Sequence, residues 1–369
     1  MSRLGQLSRG ETNIDFVGLR KRWFTISATL IVISLLALAV RGLNLGLEFQ
    51  GGTLVQAHND AGLAIEDMRD ALAPLGLSDA RIQFIDGGDE VRVQTPPLDP
   101  DAEIALIDAV VAATQTDRVD ATIEAVGPTF GAQVARQAVI ALVVFLGFAA
   151  LFITWRLQWK MAGAGLAALA HDMILTVGVY ALTGFGVTPS TVVALLTILG
   201  YSLYDTVVVF DRVEELEETL EVDLTYSDLI NRAMNQVVVR SLATSFTSLM
   251  PIGTLLFVGA LLLGASSLQD FALALFVGIA AGTYSSIFFA APLLAIWKER
   301  EPEWIDMRER LERRAAEKAA RESGVPVAPA KAPKGESGPA EPSTPKKPTG
   351  AAPRPPKGSG TKPRPPKGR

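Results

Sequence analysis

The stretch TVVALLTILGYSLYDTVVVF, from Thr191 to Phe210, places one charged residue, Asp205, inside an otherwise uncharged and largely apolar run. A helix needs about 20 such residues to cross a hydrocarbon core roughly 30 Å thick, because each residue advances the helix by about 1.5 Å. The stretch therefore predicts a transmembrane helix. It also raises the question of why the helix carries an acid, since a charge at the bilayer centre costs at least ~2.5 kcal/mol.

The composition of the whole chain supports a membrane protein. Its 369 residues are 49% hydrophobic, and the hydrophobic residues are gathered into long runs that alternate with charged segments. The absence of cysteine excludes a disulfide framework, a thiolate metal site and a cysteine nucleophile. The two histidines, His58 and His171, are too few for a histidine-rich metal site, so the sequence predicts no metal and no cofactor.

Basic residues fix the orientation of the predicted helices. Lysine and arginine precede the first span, and they also follow the second, fourth and sixth spans, whereas the connections 184–188 and 264–270 contain none. Because basic loops stay on the cytoplasmic side, both termini are predicted to be cytoplasmic. The predicted spans are residues 23–40, 135–154, 161–183, 189–210, 242–263 and 271–297, with cytoplasmic segments at 1–22, 211–241 and 298–369.

The segment 41–134 is the one large region predicted on the opposite, periplasmic side. Its patterns give the order strand, helix, strand, strand, helix, strand, which is the split βαβ arrangement of ferredoxin-like domains. The turn Asp86-Gly87-Gly88-Asp89 predicts the central hairpin, and Asp99 followed by Pro100 predicts the start of the second helix. The fold class is thus six transmembrane helices with a ferredoxin-like α+β domain between helices 1 and 2.

Polar residues recur at helical spacing in three of the spans. Residues four apart share one face of a helix, so each set predicts a polar stripe that turns away from lipid and towards the other helices. The fourth span carries Thr197, Tyr201 and Asp205; the third carries Asp172; the fifth begins with Arg240, followed by Thr244 and Ser248.

Asp205 has three open interpretations: a structural acid paired with Arg240, a side chain that reaches the cytoplasmic surface, or a carboxylate that takes up and releases protons. An intramembrane acid near an arginine and several hydroxyls favours the proton relay. For Asp172, structural and relay roles remain equally open.

The sixth span has a different stripe, in which small residues repeat every four positions. Gly278, Gly282 and Ser286 belong to it. Small residues allow helix backbones to approach closely, so this face predicts helix packing and not chemistry.

Five segments of the sequence are specific as a set. They are GLEFQGG (46–52), VGPTFG (126–131), ALAHD (168–172), GYSLYDTVVVFDRVEE (200–215) and RSLATSFTSLMP (240–251). Together they resemble the SecF family of the bacterial protein-export machinery, a branch of the resistance-nodulation-division (RND) superfamily. They occur in the family's order between about residues 20 and 297, although Tyr204 stands where the family often has asparagine and Glu48 where it often has aspartate.

The resemblance implies a subunit of the inner membrane that uses the proton gradient to assist preprotein translocation. It implies SecD as obligate partner and half of a twelve-helix bundle, with the SecYEG channel, YajC- and YidC-like proteins and the translocating preprotein as further partners. Matched by motif, Asp205 and Arg240 take the positions of the family's proton relay. No catalytic residues are implied, so the chain is not expected to be an enzyme.

Two rival functions remain. A stand-alone exporter of lipids or small molecules in the same superfamily usually carries two six-helix halves in one chain, and this chain has one. An intramembrane aspartyl protease would use acids on two adjacent spans, and Tyr204-Asp205 fits half of that pattern, but Asp172 follows Leu-Ala-His. The tail 298–369 is predicted to be largely disordered and able to touch membrane lipid, with no specific nucleic acid as partner.

Overall fold

The computed structural model of the chain describes residues 14–219, 224–260 and 266–323. In chain order the helices are α1 (Arg20–Arg41), α2 (Leu47–Gln50), α3 (Ile65–Leu72), α4 (Pro100–Thr114), α5 (Pro128–Arg156), α6 (Trp159–Thr183), α7 (Pro189–Thr219), α8 (Tyr226–Thr254), α9 (Ser266–Ser285), α10 (Ala291–Lys298) and α11 (Pro302–Ser323). Wider π-helical turns follow α8 at Leu255–Ala260 and join α9 to α10 at Ser286–Ala290.

Among the described residues, six helical stretches are long and apolar enough to cross a membrane. These stretches are α1, α5, α6, α7, α8 with its π-helical turn, and α9 together with α10. They confirm the predicted fold class. Their buried side chains form a shared core in which Met161, Phe210, Ile230, Met234 and Leu294 are almost completely enclosed.

The α+β domain lies between α1 and α5. Its strands are β2 (Gly52–His58), β3 (Arg81–Ile85), β4 (Glu90–Thr95) and β5 (Thr122–Val126). They form an antiparallel sheet in the spatial order β3-β4-β2-β5, the ferredoxin-like arrangement. Helices α3 and α4 cover one face, where Met68, Leu72, Leu106 and Val110 are fully buried. Two further strands, β1 (Asn44–Leu45) and β6 (Gly186–Val187), lie outside this sheet.

A short parallel pair of strands connects this domain to the membrane helices. β1 precedes the domain and pairs with β6, which lies in the connection between α6 and α7. Gly46 N–H also donates to the carbonyl of Val187 at 2.8 Å. Backbone hydrogen bonds therefore hold the entrance of the α+β domain against the bundle.

The predicted cytoplasmic loop 211–241 is largely helical in the structure. α7 continues to Thr219, and α8 begins at Tyr226, where Thr225 caps the helix by accepting from Asp228 N–H. The apolar side of this extension, including Ile230 and Met234, packs into the bundle core. Protein contacts therefore cover the apolar side of this extension. Residues 220–223 lie outside the described part of the chain.

Part of the segment 298–369, which the sequence predicts to be largely disordered, is helical, since residues 302–323 form α11. Glutamate, arginine and alanine dominate this segment, and all three favour helix. At its start Trp304 packs edge-on against Tyr226, with ring centroids 4.7 Å apart. The rest of the predicted tail, 324–369, lies outside the described residues, as do residues 1–13 and 261–265.

The segment before α1 is held by two asparagines of α8. The side-chain oxygen of Asn231 accepts from the backbone N–H of Phe16 at 2.9 Å and of Val17 at 3.0 Å. Asn235 accepts from Ile14 N–H at 2.8 Å. With Phe16 and Val17 buried in the bundle core, the start of α1 is fixed to α8.

Candidate functional site

Close packing of α9 against α7 brings the polar residues of the bundle together. A side chain at Gly278 would collide with Ile198, and a Cβ at Gly282 would lie 2.9 Å from the Cβ of Ser202. The absence of side chains at these glycines lets the two helices approach and places the serines at the end of α9 beside α6 and α7.

Asp172 of α6 is the centre of a fully buried cluster. Its Oδ2 accepts from Ser202 Oγ at 2.5 Å and from Ser285 Oγ at 2.8 Å, while its Oδ1 lies 3.0 Å from His171 Nδ1. Asp172 is 0% exposed. One carboxylate therefore joins three helices, α6, α7 and α9.

His171 links this cluster to two aromatic rings, and one of them contacts the backbone of α1. Its ring stacks on Phe289 with centroids 4.8 Å apart and faces Tyr284 at 6.0 Å. The Tyr284 hydroxyl in turn donates to the backbone carbonyl of Trp23 at 3.0 Å. Within the described residues, His171 Nε2 is buried and has no hydrogen-bond partner. One imidazole nitrogen of His171 is therefore hydrogen-bonded to Asp172, and the other has no hydrogen bond among the described residues.

Asp205 is also buried, but its environment differs from that of Asp172. It is 6% exposed, and its Oδ2 accepts no hydrogen bond from any described residue. The hydroxyls of Ser241 and Ser286 lie beside the carboxyl, and Ser286 Oγ is 3.0 Å from the hydroxyl of Thr206. A buried carboxylate oxygen without a partner is costly when ionised, so this site suits a group that changes its protonation state.

Arg240 does not form the expected ion pair with Asp205. Among the described residues the pair has no nitrogen–oxygen contact within 4.0 Å; Arg240 Nη2 instead donates to the Tyr204 hydroxyl at 3.4 Å. Arg240 and Tyr204 lie on the exposed side of their helices, whereas Asp205 faces inward. The arginine still attracts the carboxylate through space.

The polar stripes do not all converge as the spacing predicted. Thr197 and Thr244 are exposed, and each hydroxyl donates to a carbonyl of its own helix. Tyr201 and Ser248 are half-buried. The inward polar face of α8 belongs to Ser241 and Ser245, which lie one position, or about 100° of helix rotation, beyond Arg240 and Thr244.

Several residues beside the two buried acids carry no charge that would single them out in the sequence. Ser202, Ser285, Ser241 and Thr206 are neutral, and serine and threonine occur in transmembrane helices without a chemical role. Two of them could have been noticed by their position in the sequence. Ser202 lies about one helical turn before Asp205, and Ser285 directly precedes the predicted packing residue Ser286.

Hydroxyl partners allow the site to accommodate charged and neutral acids. A serine or threonine can donate to a carboxylate and can accept from a protonated carboxyl group, whereas a lysine or arginine can only donate. Asp172 and Asp205 are both surrounded by hydroxyls. Both acids therefore have neighbouring hydroxyls that can donate to an ionised carboxylate or accept from a protonated carboxyl group.

Two family models match the sequence. The model described as protein export membrane protein SecD/SecF, C-terminal, matches residues 106–300, which include Asp172, Asp205 and Arg240. The SecD/SecF GG motif matches residues 36–58, where α1 leads into the α+β domain.

Relatives share the sequence over most of its length. The protein translocase subunit SecF of Streptomyces coelicolor is 39% identical over 327 residues, which cover 87% of this chain and 87% of the relative. SecF of Desulfurispirillum indicum is 36% identical, covering 78% of this chain and 92% of the relative. The protein translocase subunit SecDF of Thermus thermophilus is 38% identical over 75% of this chain and 38% of its own length.

Two solved structures share the fold. The crystal structure of SecDF from Thermus thermophilus, described as a translocon-associated membrane protein, has a TM-score of 0.71 at 35% identity, covering 79% of this chain and 39% of that chain. A structure of SecDF in a super-membrane-facing form has a TM-score of 0.56 at 34% identity, covering 84% of this chain and 40% of that chain. The chain thus spans about two fifths of the SecDF chains.

Proposed function

Because this chain belongs to the SecD/SecF family of protein-export membrane proteins, we propose that it is a SecF-like subunit that uses the proton gradient to assist preprotein translocation through a SecYEG channel. Its role is transport and not enzymatic catalysis. The observation that carries the proposal is the buried carboxyl of Asp205, whose Oδ2 lacks a hydrogen bond within the described chain and which lies close to the cation Arg240.

SecD is the proposed partner, and the exposed polar face around Arg240 is its proposed contact. Tyr204 is 59% exposed and Phe246 is 63% exposed, and Thr197 and Thr244 are exposed on the same two helices. Arginine on a membrane helix is costly against lipid, so this face requires protein or water. The Thermus relative named SecDF supports SecD as that protein, because its name joins the two subunits in one chain.

The complex would lie in the bacterial inner membrane with both termini of this chain in the cytoplasm. Basic residues at the cytoplasmic ends of the helices support this orientation. The α+β domain, residues 41–134, would then lie in the periplasm, where it could act on an emerging preprotein. YajC- and YidC-like proteins are proposed as additional partners.

Proton uptake by Asp205 would change its attraction to Arg240. When Asp205 is ionised, Arg240 is drawn towards it; when it is protonated, the arginine is released towards Tyr204 and the partner face. One charge crossing the membrane potential supplies ~2.3 kcal/mol per 100 mV, which is enough to shift a two-state equilibrium substantially. Asp172 would serve as a second proton-binding position.

The β1–β6 pair offers a route from the membrane helices to the α+β domain. β6 lies between α6, which carries Asp172, and α7, which carries Asp205. Tyr180 near the end of α6 donates its hydroxyl to the backbone carbonyl of Asp270 on α9. A shift among these three helices would therefore move β6 and, through its backbone hydrogen bonds, β1 and the domain that follows it.

Export measurements with Asp205→Asn test the proposal. Asparagine keeps the size of the side chain and cannot exchange a proton at neutral pH. Proton-dependent export of a preprotein should fall to the level without the subunit, while assembly with SecD persists. Asp211→Asn is the matched control, because Asp211 lies on the same helix in an ion pair with Arg156 at 2.8 Å. Export by Asp205→Asn at the wild-type level would contradict the proposal.

A further inference from the structure

A polar pocket lies at the end of the bundle where α1 begins. It has a volume of about 860 Å³ and is formed by the segment before α1 together with the first turns of α8 and α11. This volume falls within the range of roughly 300–1,000 Å³ that is typical of small-molecule sites. Neither Asp172 nor Asp205 lines the pocket, so it is separate from the buried acids of the bundle.

The acidic side chains of this pocket are engaged by the chain itself. Each of the three accepts a hydrogen bond from a nearby group: Asp15 from Gly18 N–H at 2.7 Å, Asp228 from the Thr225 hydroxyl at 2.6 Å, and Glu299 from the Ser227 hydroxyl. Glu299 also pairs with Arg20 at 3.5 Å. The acids are therefore occupied within the protein, and one of them takes up the charge of Arg20.

Three further basic residues line the same pocket from three different helices. They are Lys21 on α1, Arg232 on α8 and Arg308 on α11. All three are exposed, and none has an ion pair within 4.0 Å among the described residues. Like charges that face one pocket repel each other, and a bound anion would offset that repulsion.

The pocket adjoins the first membrane span. Lys21 is the second residue of α1, and Val32 and Leu35 follow it on the same face after about three and four helical turns. Val32 is 53% exposed and Leu35 is 47% exposed. An anion held at Lys21 can therefore lay acyl chains along this apolar face, which favours a lipid over a soluble anion.

We propose that this pocket binds the phosphate of an anionic phospholipid headgroup, with Lys21, Arg232 and Arg308 as its ligands. The guanidinium groups match the phosphate oxygens through paired N–H donors, and the lysine adds a compact charge. The bound lipid links α1, α8 and α11 at one end of the bundle. A zwitterionic lipid binds less well, because its headgroup brings another cation into a pocket that already holds three unpaired ones.

Native mass spectrometry of the full chain in neutral detergent tests this site. Phosphatidylglycerol is titrated in, and the dissociation constant of the first bound lipid is compared with that of phosphatidylcholine. Each basic residue near an anionic lipid contributes about fivefold to binding. The triple variant K21Q/R232Q/R308Q should therefore bind phosphatidylglycerol at least about tenfold more weakly than wild type, without preference over phosphatidylcholine.

A second triple variant, R22Q/R300Q/R310Q, is the matched control. It removes the same charge from exposed positions next to or two residues from residues that line the pocket, and none of the three lines the pocket itself. Its dissociation constant should stay within about threefold of wild type. The proposal is overturned if the control loses as much affinity as the pocket variant, if the pocket variant stays within that range, or if wild type binds both lipids equally.

Thermal unfolding of each variant verifies the fold. If the pocket triple variant unfolds at a lower temperature than wild type, the three single variants carry the test, since each removes one exposed charge. Each should weaken binding of phosphatidylglycerol by about two- to fivefold, and wild-type affinity in all three would overturn the proposal.

Inorganic phosphate distinguishes a lipid from a soluble anion as the source of the bound phosphate. Added at the same concentration as the lipid, it should leave phosphatidylglycerol bound, because it lacks acyl chains to contact α1. Displacement of the lipid would contradict the lipid assignment. Lipid binding is measured without SecD, preprotein or a proton gradient, so the result is independent of the export test on Asp205.

Discussion

The guanidinium of Arg240 donates to the hydroxyl of Tyr204 across 3.4 Å, while the neighbouring Asp205 turns its carboxyl into the bundle. Two consecutive residues of α7 thus face opposite sides, and the arginine is held on the outer side. Tyr204 therefore limits the approach of Arg240 to Asp205 in this structure.

Replacing Tyr204 by phenylalanine should free Arg240 to approach Asp205. A nearby cation favours the ionised carboxylate, so the pH at which proton-driven export is half-maximal should move lower, by several tenths of a unit to about one unit. Export measured in vesicles over a range of pH checks this expectation. Thr197→Val, on the same exposed side of α7, is the control, and a profile identical to that of wild type would contradict the restraint by Tyr204.

Replacing Gly278 by leucine should destabilise the bundle. The new side chain would collide with Ile198 at the contact between α9 and α7, and such overpacking typically costs about 1–3 kcal/mol. Thermal unfolding in detergent measures the loss. Gly147→Leu is matched in size, and nothing lies within 4 Å of its added Cβ, so it should unfold close to wild type. Equal stability of the two variants would disprove the tight contact.

Replacing Asn231 by alanine should release the segment that precedes α1. The substitution removes the acceptor of Phe16 N–H and Val17 N–H, and a buried donor left without a partner costs about 1–3 kcal/mol. Trypsin should then cut faster at Arg20 and Lys21. Gln236→Ala is the control, because this side chain is bonded to Arg212 instead, and it should leave the cleavage rate unchanged. If trypsin cuts Asn231→Ala no faster than wild type, Asn231 does not anchor the segment.

The sequence alone predicted the features that hydropathy and turn chemistry determine. Long apolar runs predicted the six membrane helices, and the Asp86–Asp89 turn with the capping residue Asp99 predicted elements of the α+β domain, in which Asp99 accepts from Ala102 N–H at 2.8 Å. These features depend on neighbours in the chain, so a local pattern suffices.

Features that depend on packing between distant segments were predicted less well. Arg240 and Ser241 differ by one position, and only the contacts of α8 with α7 and α9 decide which of them faces inward. The same limit applies to the predicted cytoplasmic segment 211–241, because its apolar residues have no partner within the segment and pack instead into the bundle core. The hydrogen bonds of Ser202 and Ser285 to Asp172 depend on the packing of three helices, so the sequence did not predict them.

The central claim is that Asp205 carries protons across the membrane, and proton uptake into vesicles tests it most directly. Vesicles containing this chain and SecD, loaded with a pH-sensitive dye, are given an inward proton gradient during preprotein export. We predict that Asp205→Asn reduces export-dependent acidification at least tenfold, to the rate of vesicles without the complex, whereas Asp211→Asn retains the wild-type rate. Acidification by Asp205→Asn at the wild-type rate would contradict the account.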